Sequence, residues 1–583
     1  MTTHTTAHHL LQGLVELGVD YVFANLGTDH APIIEELARW EKTNCRPPEV
    51  ILCPHENVAV HMAGGYALAT GKGQAVLVHV DAGTANAAMA LHNLARTRLP
   101  VLVMAGRAPF TIHGELTGSR DTYVHFVQDP YDMAGIVRPY VKWEYMLPSG
   151  VVVNEVLRRA HTMMQSDPRG PVYLTLPREI LAADIDDEKV ASFPEAKYGP
   201  VKAGGVAPED ADAIAVELMA ADNPIAATTY IGRKPEGVAA LDDLARECGI
   251  GVFESFPVTL NIPHDSPCFA GFNVGKGIKD ADLGLLLDTD VPFIPLDHPR
   301  ARTLRWIQID VDPLKENIPV WGFATDRRYQ ADAATVLRQV LEAVRRRADD
   351  RYRQKVKARI ASWAPARDAR AKHLAAAAAK TGNRDAMTVE YVAATLNQRL
   401  TQDDIVVNEA VRNTGATLSQ MPRTKPLTYF AHSGGGLGGS GGIALGVKLA
   451  HPDRRVIQVV GDGSFHFMSP DAVYAVSQQC GLPIFTVVLD NRGWQAVKAS
   501  VQRVYPEGVA NESGKFQARL SSGKPDERRR FDELAHAFGA HGEYVDEPAA
   551  LGSAIDRCFA ALKEKRSAVL TARVTSLADV PVG

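Results

Sequence analysis

Three times along its length the chain alternates short β-rich apolar runs with helical segments, and that alternation limits its fold more than any other feature. YVFANLG precedes PIIEELARW, VILC precedes NVAVHMAGGYALATG, AVLVHV precedes NAAMALHNLARTR, and PVLVMAG and PVYLTLP complete the run. Strands that read as unbroken apolar stretches, with helices between them, belong to a parallel sheet covered on both faces. After the polar stretch 182–206 the pattern restarts with PEDADAIAVELMAAD and IAATTYIG, and continues through GIGVFES, ADLGLLLD and RWIQIDVDP. It starts a third time at DIVVNEA, followed by LTYFAHSGGG, VIQVVGDG and PIFTVVLDN. The expectation is an α/β protein of three doubly wound parallel-sheet domains, residues 1–185, 186–350 and 386–583, with 351–385 as a helical linker. A chain of 583 residues is in any case too long for one hydrophobic core.

Composition removes several classes of function. A net charge of −5 offers no electrostatic reason for a nucleic-acid partner. The runs Arg345-Arg346-Arg347 and Arg528-Arg529-Arg530 are short and flanked by acids, so they read as solvated helix faces. The six cysteines are scattered without metal-ligand spacing, as in a reduced compartment. MTTHTTAHHLLQGLVELG lacks the order of a secretory signal, and no apolar run approaches the roughly 20 residues that span a bilayer. A cytoplasmic protein with no membrane partner is expected.

The third region carries the most specific chemistry. Val456 to Val460 reads as a strand that stops at Gly461-Asp462-Gly463, Pro470 to Cys480 as a helix, and Ile484 to Leu489 as the next strand. A right-handed crossover puts both strand ends on one sheet edge, so Asp462 and Asn491 become neighbours where ligands of open α/β sheets sit. A carboxylate and an amide oxygen are hard ligands of the kind Mg2+ accepts beside phosphate oxygens. Gly461 and Gly463 let backbone N–H groups come close to a phosphate. Two other readings stand beside this one. Gly, Asp and Asn favour ordinary turns, and the glycine-rich LTYFAHSGGGLGGSGGIALG with Asp462 matches a dinucleotide site, hence a nicotinamide-dependent dehydrogenase. The second leaves Asn491 without a role.

Gly461-Asp462-Gly463 followed, after 26 intervening residues, by Asp490-Asn491 resembles the diphosphate-binding signature of thiamine diphosphate enzymes, which usually ends in two asparagines. Asp490 is thus a departure. The resemblance implies Mg2+ held by Asp462, the Asn491 side chain and the Gly493 main-chain carbonyl, with Gly461, Gly463, Ser464 and Trp494 around the diphosphate. Such chemistry also needs a carboxylate that hydrogen-bonds the aminopyrimidine ring. VILCPHENVAVHMAGGYALATG, with Glu56 between a strand and a helix, is similar to the family's catalytic glutamate segment. A helix cap is the competing role for Glu56. His61 stands at the wrong spacing for a zinc protease motif.

Two further stretches narrow the family. AVLVHVDAGTANAAMALHNLARTRLPVLVMAGRAP resembles a segment of acetolactate synthase and benzoylformate decarboxylase, with His79 where the decarboxylase has a histidine and the same spacing to Gly83 and Asn86. VVNEAVRN and FAHSGGGLGGSGGIALG resemble segments around the cofactor's bend, and a gapless match makes Leu437, beside Gly436, the apolar wedge between the cofactor rings. GGSGG departs from the usual Gly-Phe-Ala-Leu-Pro, and a second histidine expected in the middle domain has only His298 near its place. Thr28, His30, Gln128 and His113 could face substrate or serve in turns.

The resemblance implies cleavage or ligation of a C–C bond next to a carbonyl, by a 2-keto acid decarboxylase or an acetolactate synthase-like carboligase, on a 2-keto acid, aldehyde or acyloin. A 2-hydroxyacyl-CoA lyase of the same superfamily is the alternative. Active sites shared between subunits of a homodimer or homotetramer are also implied.

Overall fold

The computed structural model describes residues 2–383, 386–514 and 528–575. Three parallel sheets of six strands, flanked by helices, make up the molecule. The first contains β1 (Tyr21–Ala24), β2 (Glu49–Leu52), β3 (Gln74–Val78), β4 (Val101–Arg107), β5 (Glu144–Met146) and β6 (Val172–Pro177). Its order is β2-β1-β3-β4-β6-β5. The second contains β7 (Pro224–Thr228), β8 (Gly251–Glu254), β9 (Phe269–Gly271), β10 (Leu283–Leu287), β11 (Arg305–Asp310) and β12 (Arg327–Gln330), in the order β9-β8-β7-β10-β11-β12. The third contains β13 (Ile405–Glu409), β14 (Tyr429–Phe430), β15 (Val456–Gly461), β16 (Phe485–Asp490), β17 (His541–Val545) and β18 (Ala568–Arg573), in the order β14-β13-β15-β16-β18-β17. The central strands are apolar and buried along their whole length, as strands covered on both faces must be.

Two helices explain how the first and third sheets meet. The helix α1 (Glu56–Thr70) has no polar face and is buried from Glu56 to Ala69. A helix apolar all round needs cover on every side. Its own sheet covers one side, and α4 (Ser440–Ala450), equally short of polar residues, covers the other. The two backbones touch at glycines: a Cβ on Gly65 would collide with the Ile443 backbone, one on Gly446 with the Met62 carbonyl, and one on Gly442 would lie 2.6 Å from His61 Cβ. Within the GGSGG that departs from the family pattern, Gly442 takes part in this crossing, while a Cβ on Gly438 would collide with the Phe467 backbone and one on Gly441 with Val473 of the third domain itself. One apolar cluster runs unbroken from Val76 and Val103 through Met62 and Ile443 to Val460 and Val488.

The middle sheet has its own core and meets the first domain largely through buried charges. Arg98 donates to Asp310 at 2.8 Å and to Asp290 at 2.7 Å, and Arg233 to Asp167 at 2.6 Å. The expected linker begins as the helix Asp350–Ala378, but it is no free spacer. Arg359 buries its guanidinium against the carbonyls of Cys248, at 2.6 Å, and Leu218, at 3.1 Å, and Trp363 stands edge-on to Phe253. This contact fastens the first half of the helix to the middle domain.

Candidate active site

Strands β15 and β16 run parallel with Gly461 beside Leu489, so the residues after them come together. The Gly493 N–H donates to both Asp462 Oδ2 and Asn491 Oδ1, each at 3.2 Å, which points the two oxygens at a common locus. Both side chains are buried. Burial pushes the Asp462 carboxyl up, and the nearby Arg529 guanidinium opposes the shift only in part. A carboxylate held dry in this way is stabilised by an arriving cation. Ser464 Oγ and Asp490 Oδ2 lie beside them, buried and without a hydrogen-bond partner. A cavity of about 110 Å3 is lined here by Leu437, the turn Gly461 to Ser464, Asn491, Gly493 and Trp494. Hard oxygen donors and an orphaned hydroxyl around a cavity suit Mg2+ and a phosphate group.

Arg529 corrects the sequence reading of the Arg528 to Arg530 run as a solvated face. Its guanidinium is largely buried and bridges Asp462, at 2.6 Å, and Asp490. Asp490, the residue that departs from the asparagine pair, also accepts from the Arg492 N–H at 3.0 Å. The extra negative charge at position 490 is thus matched by a nearby positive one.

Leu437 sits on the glycine-rich turn between β14 and α4, with Gly435 and Gly438 in the left-handed region at φ of 76° and 95°. Glu409, at the end of β13, accepts from the Gly438 N–H at 2.6 Å and the Ser440 N–H at 2.8 Å and so pins this turn. Asn93 of the first domain grips Gly436, donating to its carbonyl at 2.8 Å and accepting from its N–H at 3.0 Å. Glu409 and Asn93 were not singled out from sequence; an acid closing the strand VVNE was the available signal for the first. Leu437 borders the Asp462 cavity on one side and, on the other, a cavity of about 430 Å3 walled by Phe256, Phe272 and Tyr429. Most glycines that would serve a dinucleotide are packed against protein, Gly434 and Gly436 against Asn93, Gly438 against Phe467, and Gly439 and Gly442 against His61, which disfavours the dehydrogenase reading.

Glu56 opens α1 but does not cap it. The cap is His55, whose Nδ1 accepts from the Asn57 N–H at 3.1 Å. The Glu56 carboxylate is buried and accepts from Asn86 Nδ2 at 3.1 Å. Asn86 belongs to the helix α2 (Val80–Thr97), and Gly83 on the same helix faces Glu56 without a side chain. The cavity at Asp462 is lined by third-domain residues, and Glu56 is not among them.

His79 ends β3, with Asp29 on one ring nitrogen and Gln128 on the other. It is held by side chains and not, as a core histidine would be, by backbone. Thr28 lies 3.1 Å from His125. His30 has no exposed surface; its Nδ1 accepts from the Gly27 N–H at 3.0 Å, so burial removes it from direct substrate contact. His113 lies on an exposed loop of the same domain.

Comparisons with known proteins agree with this geometry. Residues 4–134 match the family described as thiamine pyrophosphate enzyme, N-terminal TPP binding domain, and residues 413–572 the corresponding C-terminal TPP binding domain. The acetolactate synthase isozyme 3 large subunit of Escherichia coli is 26% identical over 591 residues, covering 96% of this chain and 93% of that one. Benzoylformate decarboxylase of Pseudomonas aeruginosa is 25% identical over 513 residues, covering 85% and 87%. In fold, the thiamine diphosphate-dependent 4-hydroxybenzoylformate decarboxylase of Rhodococcus jostii RHA1 superposes with a TM-score of 0.75 at 21% identity, over 98% of this chain and 99% of that one. Paired carboxylate and amide at one sheet edge, a buried glutamate on another domain and these matches agree: the chain carries both TPP binding domains of the thiamine pyrophosphate enzymes and is similar along most of its length to acetolactate synthase and benzoylformate decarboxylase.

Proposed function

We propose that this enzyme makes or breaks the C–C bond of a 2-keto acid or acyloin at a site shared by two copies of the chain, with Mg2+ and thiamine diphosphate held at Asp462 and Asn491. The observation that carries the reading is the Gly493 N–H shared by those two side chains at the ends of adjacent strands. Mg2+ would take Asp462, Asn491 and the Gly493 carbonyl as ligands, with Ser464 and the turn around it at the diphosphate. Bound thiamine diphosphate supplies the sink for the electrons of the broken bond. Leu437, which parts two cavities, would keep the cofactor's rings facing each other. Glu56, with Asn86 fixing its carboxylate, would exchange a proton with the aminopyrimidine, and His79 would exchange one with the substrate. Among the described residues Glu56 does not line the cavity at Asp462, which supports a glutamate supplied by a second copy, in a dimer or larger assembly.

The test is direct. Protein purified with Mg2+ is denatured, and the released small molecules are identified by mass; thiamine diphosphate is expected. The loaded enzyme is then offered pyruvate, benzoylformate and 2-hydroxyacyl thioesters, with CO2, aldehyde and acyloin as readouts. CO2 with aldehyde marks a decarboxylase, CO2 with acyloin a carboligase, and aldehyde with a formyl thioester, from C–C cleavage of the 2-hydroxyacyl thioester, the lyase. Release of a nicotinamide or no binding of thiamine diphosphate overturns the reading.

A further inference from the structure

A second polar cluster lies at the ends of β1 and β3. Asp29, in the turn after β1, is fully buried, and one of its oxygens is 2.5 Å from His79 Nδ1. Its other oxygen accepts from the Val80 N–H at 3.4 Å and lies 3.2 Å from His30 Nε2. On the far side of the ring, His79 Nε2 is 3.0 Å from the Gln128 side-chain oxygen. Both ring nitrogens thus face oxygen acceptors, the surroundings of an imidazole that donates from both sides. The fit is close: a Cβ on Gly106 would fall on the Asp29 carboxylate, and one on Gly27 on the His79 ring.

We infer that Asp29 is a positioning residue, which holds the His79 ring through Nδ1–H and leaves Nε2 as the nitrogen that trades protons or hydrogen bonds with substrate. The inference rests on the reading of His79 as a substrate-facing group and adds what sets its orientation and charge. The two histidines that share Asp29 are not equivalent. Burial holds His30 below its ordinary value. The hydrogen bond to Asp29 raises His79 in spite of burial, with Gln128 and the nearby Asp81 acting the same way. Burial works to raise the Asp29 carboxyl, but its bond to His79 and the charges of His30 and His79 bring it below the usual range. His125, from the loop that carries Gln128, is held low by burial. Of these groups His79 is the one whose surroundings favour the proton, and its side chain keeps 21% of its surface exposed. An imidazolium there is suited to meet a substrate carboxylate or a developing oxyanion.

The test is an NMR titration of the holoenzyme, loaded with Mg2+ and thiamine diphosphate and labelled with 15N-histidine, with His79→Gln identifying the signal. His79 is expected to titrate above 6.5, with the neutral ring protonated on Nδ1. Asp29→Asn should lower that midpoint by about one unit or more. An unchanged midpoint overturns the inference. So does a wild-type neutral ring protonated on Nε2, a result that needs no variant to fold. Failure of the His79 reading looks different: His79→Gln would then leave turnover of pyruvate and benzoylformate unchanged while the Asp29 pairing persists in the spectra.

Discussion

The first and third domains share one strand order and carry different chemistry on it. Numbered within each domain, both sheets run 2-1-3-4-6-5, whereas the middle sheet runs 3-2-1-4-5-6. Behind the second strand the first domain places Glu56 and the third places the glycine turn with Leu437. Behind the third strand stand His79 in one and Asp462 in the other. The helices after the second strands, α1 and α4, are equivalent, and they pack on each other. One architecture thus carries a buried glutamate and a paired histidine on the first domain and the carboxylate–amide pair on the third. The difference lies in how each carboxylate is balanced: Glu56 by a neutral amide, Asp462 by the guanidinium of Arg529. Under the proposed roles, the carboxylate that would trade protons faces a neutral amide, and the one that would hold a metal ion faces a guanidinium.

The largest expected effect tests the first half of that comparison. Glu56→Gln keeps shape and the contact to Asn86 but removes the ionisable group, so turnover should fall roughly a hundredfold or more. The measurement is exchange of the cofactor's C2 proton with deuterium in folded, cofactor-loaded protein. Unchanged exchange would leave Glu56 a structural residue and break the division of labour between the domains.

The second half is tested by Asp462→Ala. Loss of a charged ligand should weaken Mg2+-dependent binding of thiamine diphosphate by about tenfold or more, and Asn491→Ala should weaken it less, since that ligand is neutral. Calorimetric titration of the cofactor into each variant at fixed Mg2+ decides it. Equal affinity in wild type and Asp462→Ala would remove the metal assignment.

A smaller effect concerns the contact between the equivalent helices. Gly446→Ala places a methyl against the Met62 carbonyl. Overpacking of that kind costs about 1–3 kcal/mol, read as a lower midpoint of denaturant unfolding. An unaltered midpoint would mean that α1 and α4 can separate without loss.

The last is a pH effect with a defined sign. His61, fully buried on α1, donates from Nδ1 to the Asn57 carbonyl and accepts from Asn93 at Nε2, and burial lowers it to about 4. The unfolded chain takes up a proton near 6.5 that the folded protein refuses. The stabilisation is therefore complete above about 6.5 and is lost as pH falls toward 4, by up to about 1.4 kcal/mol per unit. His61→Gln should flatten the stability curve in that window. His79, raised instead of lowered, contributes in the opposite sense, losing its share as pH rises through its folded value.

Much of this was legible in the residues themselves. Unbroken apolar strands predicted three parallel sheets, and the crossover from Val456 to Leu489 predicted that Asp462 and Asn491 would meet, because local pattern and crossover handedness leave few other arrangements. The GGSGG stretch was harder: as sequence it was only a departure, and its meaning came from what packs against it, α1 at Gly442 and the third domain itself at Gly438 and Gly441. The Arg528 to Arg530 run misled for a related reason. Flanking acids predict a solvated face, but Arg529 found its carboxylates 67 and 39 residues away.

Local order and chemistry were thus determined by sequence alone: where strands stop, which turns carry Asp462 and Asn491, and that Glu56 opens a helix. Tertiary structure alone decided the partners. Asp29 reaches His79 across 50 residues, Asn93 reaches Gly436 across 343, and Glu409 pins Gly438 across 29. The physical reason is that backbone conformation is set by neighbours along the chain, whereas the charge and orientation of a buried side chain are set by whatever the strand order brings against it.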